Sequence, residues 1–197
     1  MEPCKFLWAF IAVALSCSAC AKSFDMSGER LTPLGPEWGV VIGSVLVKPV
    51  KLAGESGKSR DASDATYAFD IVQTQPGDPD GESAYADHYR LTSKAGEERV
   101  FISRLRTGSY LIRGFSQDQI GGKGGDLDLV FDCMAGEVRY LGRILVEVPQ
   151  RVTRGKEYRF SVENAREPTL AKVAGPHPEL ANQAVDAPMR SREQSAP

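Results

Sequence analysis

The sequence predicts an all-β fold, an antiparallel β-sandwich of about seven or eight short strands. Three observations predict it. Apolar residues between positions 38 and 164 recur at every second place, which is the strand period. Turn-forming clusters separate these runs. No apolar stripe at helical spacing is sustained over about twelve residues anywhere in that region.

Each strand has its own signal. Trp38 to Val50 (WGVVIGSVLVKPV) is a β-branched run with glycines, as expected of a strand buried on both faces or bent at Gly43. Tyr67, Phe69 and Ile71 alternate with Ala68, Asp70 and the less fitting Val72. Glu98 to Arg106 and Tyr110 to Phe115 flank Thr107-Gly108-Ser109, which reads as a hairpin. Leu127, Leu129, Phe131 and Cys133 share one face of the next run. Val138, Tyr140, Ile144, Val146 and Val148 share one face of another. Thr153-Arg154-Gly155-Lys156 signals a further hairpin, leading into Tyr158, Phe160 and Val162.

Leu105 to Phe115 (LRTGSYLIRGF) resembles the hairpin of transthyretin-like and carboxypeptidase-regulatory-like sandwich modules. In those modules the Gly makes the turn and the Tyr enters the core. Ala135 to Val148 (AGEVRYLGRILVEV) is similar to a strand pair in uncharacterised bacterial lipoproteins built on such modules. The resemblance covers about half of residues 38–164 and implies a fold, not an activity. The hydrolase branch of the transthyretin family uses several histidines and a C-terminal Tyr-Arg-Gly-Ser signature. This chain has His88 and His177 and lacks that ending, so the activity does not carry over.

The N-terminus reads as an export signal. Lys5 precedes an uninterrupted apolar run of ten residues, Phe6 to Leu15. That is short for a membrane span of about 20 residues but right for a signal-peptide core. Ser16-Cys17-Ser18-Ala19-Cys20-Ala21 follows. It resembles a bacterial lipobox, whose cysteine becomes the acylated first residue of the mature protein. Cys20, preceded by Ser18 and Ala19, is preferred; Cys17, preceded by Leu15-Ser16, is the alternative. Ala19-Cys20-Ala21 also fits ordinary A-x-A cleavage, which would release a soluble periplasmic or secreted chain starting at Lys22. The lipobox reading implies a periplasm-facing outer-membrane address, because Ala21 and Lys22 lack the aspartate that retains such proteins at the inner membrane.

The expected organisation is therefore a signal at 1–20, a polar tether at 21–37, a sandwich at 38–164 and a disordered tail at 165–197 rich in Pro, Ala and charge. The whole chain has a formal net charge of -2, which argues against a broad nucleic-acid footprint. Cys133 is the only cysteine between residues 38 and 164, so neither a disulfide framework nor a cysteine-based zinc site is expected there.

Several stretches invite chemistry. Leu52 to Ser59 (LAGESGKS) approaches a phosphate-binding loop, with Lys58 and Ser59 in place but Leu52 where the first glycine belongs. Such a loop needs a helix after it, and Ser59 to Ala65 has no apolar face. The reading taken is a polar loop. Gly77 to Ser83, with Asp78, Asp80 and the nearby Asp87, offers oxygens but not the spacing of a calcium loop. Gly121 to Gly125 reads as a connection rather than a flap. Asp87 and His88 are neighbours on a strand, point to opposite faces and cannot act as a dyad. Cys133 reads as a small buried hydrophobe. Arg99, Arg104, Arg106, Arg113, Arg139 and Arg143 read as charges balanced across strands, with a basic stripe for an anionic partner as the alternative.

The expectation is a non-catalytic envelope lipoprotein without cofactor or metal, held to the membrane by its lipid and binding an envelope protein or glycan. An enzyme built on the loop at 52–59 is the distant alternative.

Overall fold

The computed structural model describes residues 21–28, 35–51, 64–75, 77–83, 86–117, 124–150 and 158–195. Two sheets pack face to face. One has the strand order β1 (Lys22–Ser23), β4 (His88–Lys94), β3 (Thr66–Gln73), β6 (Gly108–Gln117), β7 (Gly124–Cys133), β11 (Arg190–Ser191). The other runs β10 (Val185–Asp186), β8 (Val138–Pro149), β2 (Trp38–Val50), β5 (Glu98–Arg106), with β9 (Arg159–Glu163) also on β8. Phe69, Tyr110, Phe101, Leu105, Leu127 and Ile144 are among the side chains that fill the space between them.

The all-β sandwich is as expected, but its pairing is mixed. β2 runs antiparallel to β5 and parallel to β8, and β1–β4 and β10–β8 are parallel as well. Eleven strands form among the described residues, several of only two residues, where about seven or eight are predicted. Alternation identifies strands without saying which ones pair, so a parallel partner distant in sequence leaves no local signal.

Residues 107–109 do not make a hairpin. β5 and β6 lie in different sheets, so this turn arches across the sandwich. Tyr110 enters the core as the family resemblance implied and is fully buried. Its hydroxyl donates to the Arg106 carbonyl at 2.9 Å and braces the arch. The predicted turn at 153–156 lies outside the described residues, but the strands it joins, β8 and β9, do pair antiparallel.

The predicted disordered tail is folded. Arg166–Ala174 forms α1, Pro178–Gln183 forms α2, and β10, β11 and a 3-10 turn (Arg192–Ser195) follow. Val173 of α1 and Ala184 after α2 pack with Val40, Ile42, Ile102, Val138 and Tyr140 on the outer face of the β2 sheet. This explains why β2 is apolar on both faces: the other sheet covers one and the C-terminal helices cover the other. Composition misled here because two short helices need few apolar residues when the sheet supplies the rest of the interface.

The predicted tether is also partly folded. Lys22–Ser23 pairs with β4. Phe24 is 1% exposed and meets Tyr89, Phe101 and Phe131 edge-on. The Met26 amide then donates to the Ile102 carbonyl at 2.7 Å. Residues 22–26 thus form a strap from the β4 edge of one sheet to the β5 edge of the other, covering backbone groups that an open edge would expose.

Candidate functional site

The outer face of the β3–β6–β7 sheet carries a shallow depression of about 450 Å³ centred on Arg113. Its origin is a register fault. Ile112 sits opposite Ile71 and Gly114 opposite Asp70, so Arg113 is an extra residue against β3. β7 is irregular at the same level, where Asp128 adopts φ 47°. Such a bulge re-aims side chains locally. Tyr110, Ile112 and Phe115 still reach the core, while Arg113 and Gly114 line the depression.

Glycine keeps the floor open. A Cβ on Gly114 would lie 2.4 Å from the Gly125 carbonyl oxygen, and one on Gly125 would lie 2.1 Å from the Tyr158 ring. Tyr158 backs the site: its hydroxyl donates to the Asp126 carbonyl at 2.6 Å, and its ring packs edge-on against Phe115 at 5.2 Å. Asp70, Arg113, Ser116 and Asp126 supply the polar walls. Arg113 Nε donates to Asp70 Oδ2 at 2.8 Å, and its Nη2 lies 3.4 Å from His88 Nδ1. A guanidinium, two carboxylates and a hydroxyl on a shallow open surface suit a ligand rich in hydroxyl or amide groups. The bulge was not legible in the sequence, because it arises from registers set by two separate neighbours.

The other candidates are placed as follows. Cys20 and Cys17 lie outside the described residues, as does the loop at 52–59 with Lys58 and Ser59. That loop joins β2 to β3, so the next described element after it is a strand. Asp78 accepts hydrogen bonds from the Glu82 and Ser83 amides at 2.9 Å, and Asp80 pairs with Arg192, so both carboxylates serve the fold. No cluster of metal-ligating side chains occurs among the described residues. Residues 121–123 lie outside the described residues, whereas Gly124 and Gly125 open β7.

Asp87 and His88 part company. Asp87 accepts from Lys22 Nζ at 2.6 Å and from the Tyr89 hydroxyl at 3.3 Å, while His88 meets Arg113. Cys133 is buried in the core, and burial raises its thiol pKa to about 11. The arginines do not form one stripe. Arg99 pairs with Asp25, Arg113 with Asp70, Arg139 with Glu137, and Arg143 with Glu163 and Glu98. Arg104 and Arg106 instead stack on Trp38, with guanidinium carbons 4.7 and 5.6 Å from the ring centre.

No protein-family model, curated protein or solved structure matches the chain.

Proposed function

We propose that the chain is a non-catalytic envelope lipoprotein, acylated on Cys20, whose sandwich binds a glycan or protein of the bacterial envelope. The observation that carries the anchor is the meeting of two boundaries. The apolar run leads into the small-residue cluster that holds Cys20, and the first described strand, β1, starts two residues later at Lys22. The depression around Arg113 supports a binding role. Among the described residues it presents paired polar groups such as Arg113 with Asp70, and the Cys133 thiol is buried on the other side of the sheet.

Intact mass of the chain purified from its native membrane tests the anchor. A mass starting at Cys20 (or Cys17) plus diacylglycerol is expected; a chain starting at Lys22 without lipid overturns it. Arg113→Ala tests the surface. It removes a charge-assisted donor of about 1.5–3 kcal/mol, so affinity for the captured envelope component should fall at least tenfold or so. Unchanged affinity would move the binding surface elsewhere.

A further inference from the structure

We propose that the end of the sandwich bearing Lys22, Trp38 and Met134 is a membrane-contact surface that seats the domain directly on lipid headgroups. The inference rests on the acylated Cys20 proposed above. Its starting point is the strap. Two residues after Cys20 the chain is already paired to β4, with Lys22 held by Asp87 and lying over the Tyr89 ring at 5.8 Å. An extended chain covers at most about 3.6 Å per residue, so an acylated Cys20 lies within roughly 7 Å of Lys22. β1 runs parallel to β4, so the described chain enters the fold at the end of the sandwich where β4 begins. There is no tether to lift the domain; this end must meet the bilayer surface.

The side chains at this end have the chemistry of such a surface. β5 finishes here: the Arg106 carbonyl accepts from the Tyr110 hydroxyl, and the Tyr110 ring lies 6.3 Å from that of Tyr89. Trp38, opposite Arg106 in the β2–β5 register, is half-buried with the Arg104 and Arg106 guanidiniums against its ring. The Gly136 amide donates to the Trp38 carbonyl, so the turn at 134–137 lies beside it, with Met134 43% exposed. Val185, opposite Arg139 at the same end of β8, is 59% exposed. Tryptophan is favoured at the membrane–water boundary, and arginine pairs with phosphate. Four of the carboxylates here are engaged within the protein: Asp87 by Lys22, Glu137 by Arg139, Asp132 by Ser109 and Asp186 by Arg166. Glu37 is an exposed carboxylate beside Trp38. It moderates the positive charge, so seating depends on Trp38, Met134 and the anchor together.

The chain has two tryptophans, Trp8 in the leader and Trp38, so Trp38 is the sole indole in a chain starting at Cys20. The lipidated protein is reconstituted into vesicles of phosphatidylethanolamine and phosphatidylglycerol, with and without lipids brominated near the headgroup end of the acyl chain. Trp38 fluorescence should fall at least twofold with brominated lipid, and Met134→Asp should restore most of it while the circular dichroism spectrum is unchanged. A lipidated chain whose Trp38 is not quenched overturns the surface and leaves the anchor standing. If the mass shows no lipid, the anchor fails, and the unlipidated chain is floated with the same vesicles. Flotation with quenching then retains the surface, and absence of flotation rejects it.

Discussion

Thr169 Oγ1 lies 3.4 Å from Ser44 Oγ, and both side chains are fully buried. The pair joins α1 to the middle of β2. Ser44 Oγ also donates to Glu98 Oε1 at 2.9 Å, and Lys172 of α1 reaches Glu98 Oε2 at 2.7 Å. One carboxylate thus ties a helix from the end of the chain to two strands. Glu98→Ala leaves the buried Ser44 hydroxyl short of an acceptor and removes the Lys172 contact. It should cost about 1–3 kcal/mol, read from denaturant midpoints at neutral pH.

The same carboxylate gives a pH dependence. Burial pushes the Glu98 carboxyl up, but hydrogen bonds from Lys172 and Ser44 and the nearby Lys172 and Arg143 charges outweigh it, leaving the pKa lowered. A lowered folded pKa means stability that is fully present above the unfolded value of about 4.3 and is lost as pH falls through the folded value. Melting of the wild type and of Glu98→Gln should therefore differ at pH 7 and converge as pH falls past the unfolded value and through the lowered folded one. A constant difference across that range would remove Glu98 as the source.

The strap can be tested by itself. Phe24 contacts three core rings and is 1% exposed. Phe24→Ala should destabilise the domain by about 3–5 kcal/mol, the usual range for emptying a buried phenylalanine site. A change below about 1 kcal/mol would show that residues 21–28 are an accessory and that the tether first expected from their composition is the better description.

What was legible followed from side-chain period. Alternation puts Phe69, Ile71, Leu127 and Phe131 on inward faces, and all are buried there. In β8 it puts Val138 and Tyr140 on the same face as Ile144, Val146 and Val148, but the register shift between Tyr140 and Arg143 turns the first two outward under the helices and leaves the other three in the core. What was not legible depended on distant partners. The pattern of β2 reads as a strand buried on both faces or bent at Gly43, yet the residues that cover it read as a disordered tail, because Leu170, Val173 and Leu180 are too few to make a helical stripe. The depression at Arg113 was hidden for a similar reason: a bulge exists only relative to the strand opposite.

Truncation after Asn164 tests that cover. It would expose Val40, Ile42, Ile102, Val138 and Tyr140, each at most 2% exposed with the helices in place. An apolar sheet face of this kind promotes association. The shortened chain should bind a hydrophobic dye strongly and elute as oligomers or precipitate. A soluble monomer with the full-length melting temperature would mean that α1 and α2 contribute little to stability.

Cys133 reports on the core rather than on chemistry. Its Sγ lies 3.6 Å from the Leu105 carbonyl oxygen, and burial raises its pKa to about 11. Against the ordinary thiol value of 9.0, the folded thiol holds roughly 100-fold less thiolate near neutral pH, and the thiolate is the reactive form. In a chain acylated on Cys20 that sulfur is a thioether and silent, so an alkylating reagent reads Cys133 alone. Labelling at pH 8 should be at least about a hundredfold slower than in denaturant and should accelerate only where the domain unfolds. Because the folded pKa is raised, stability from the buried thiol is complete below the ordinary value of 9.0 and is lost as pH rises through about 11. Cys133→Ala should therefore narrow its stability difference from wild type across that alkaline window, whereas fast labelling of the folded chain at pH 8 would show Cys133 open to solvent.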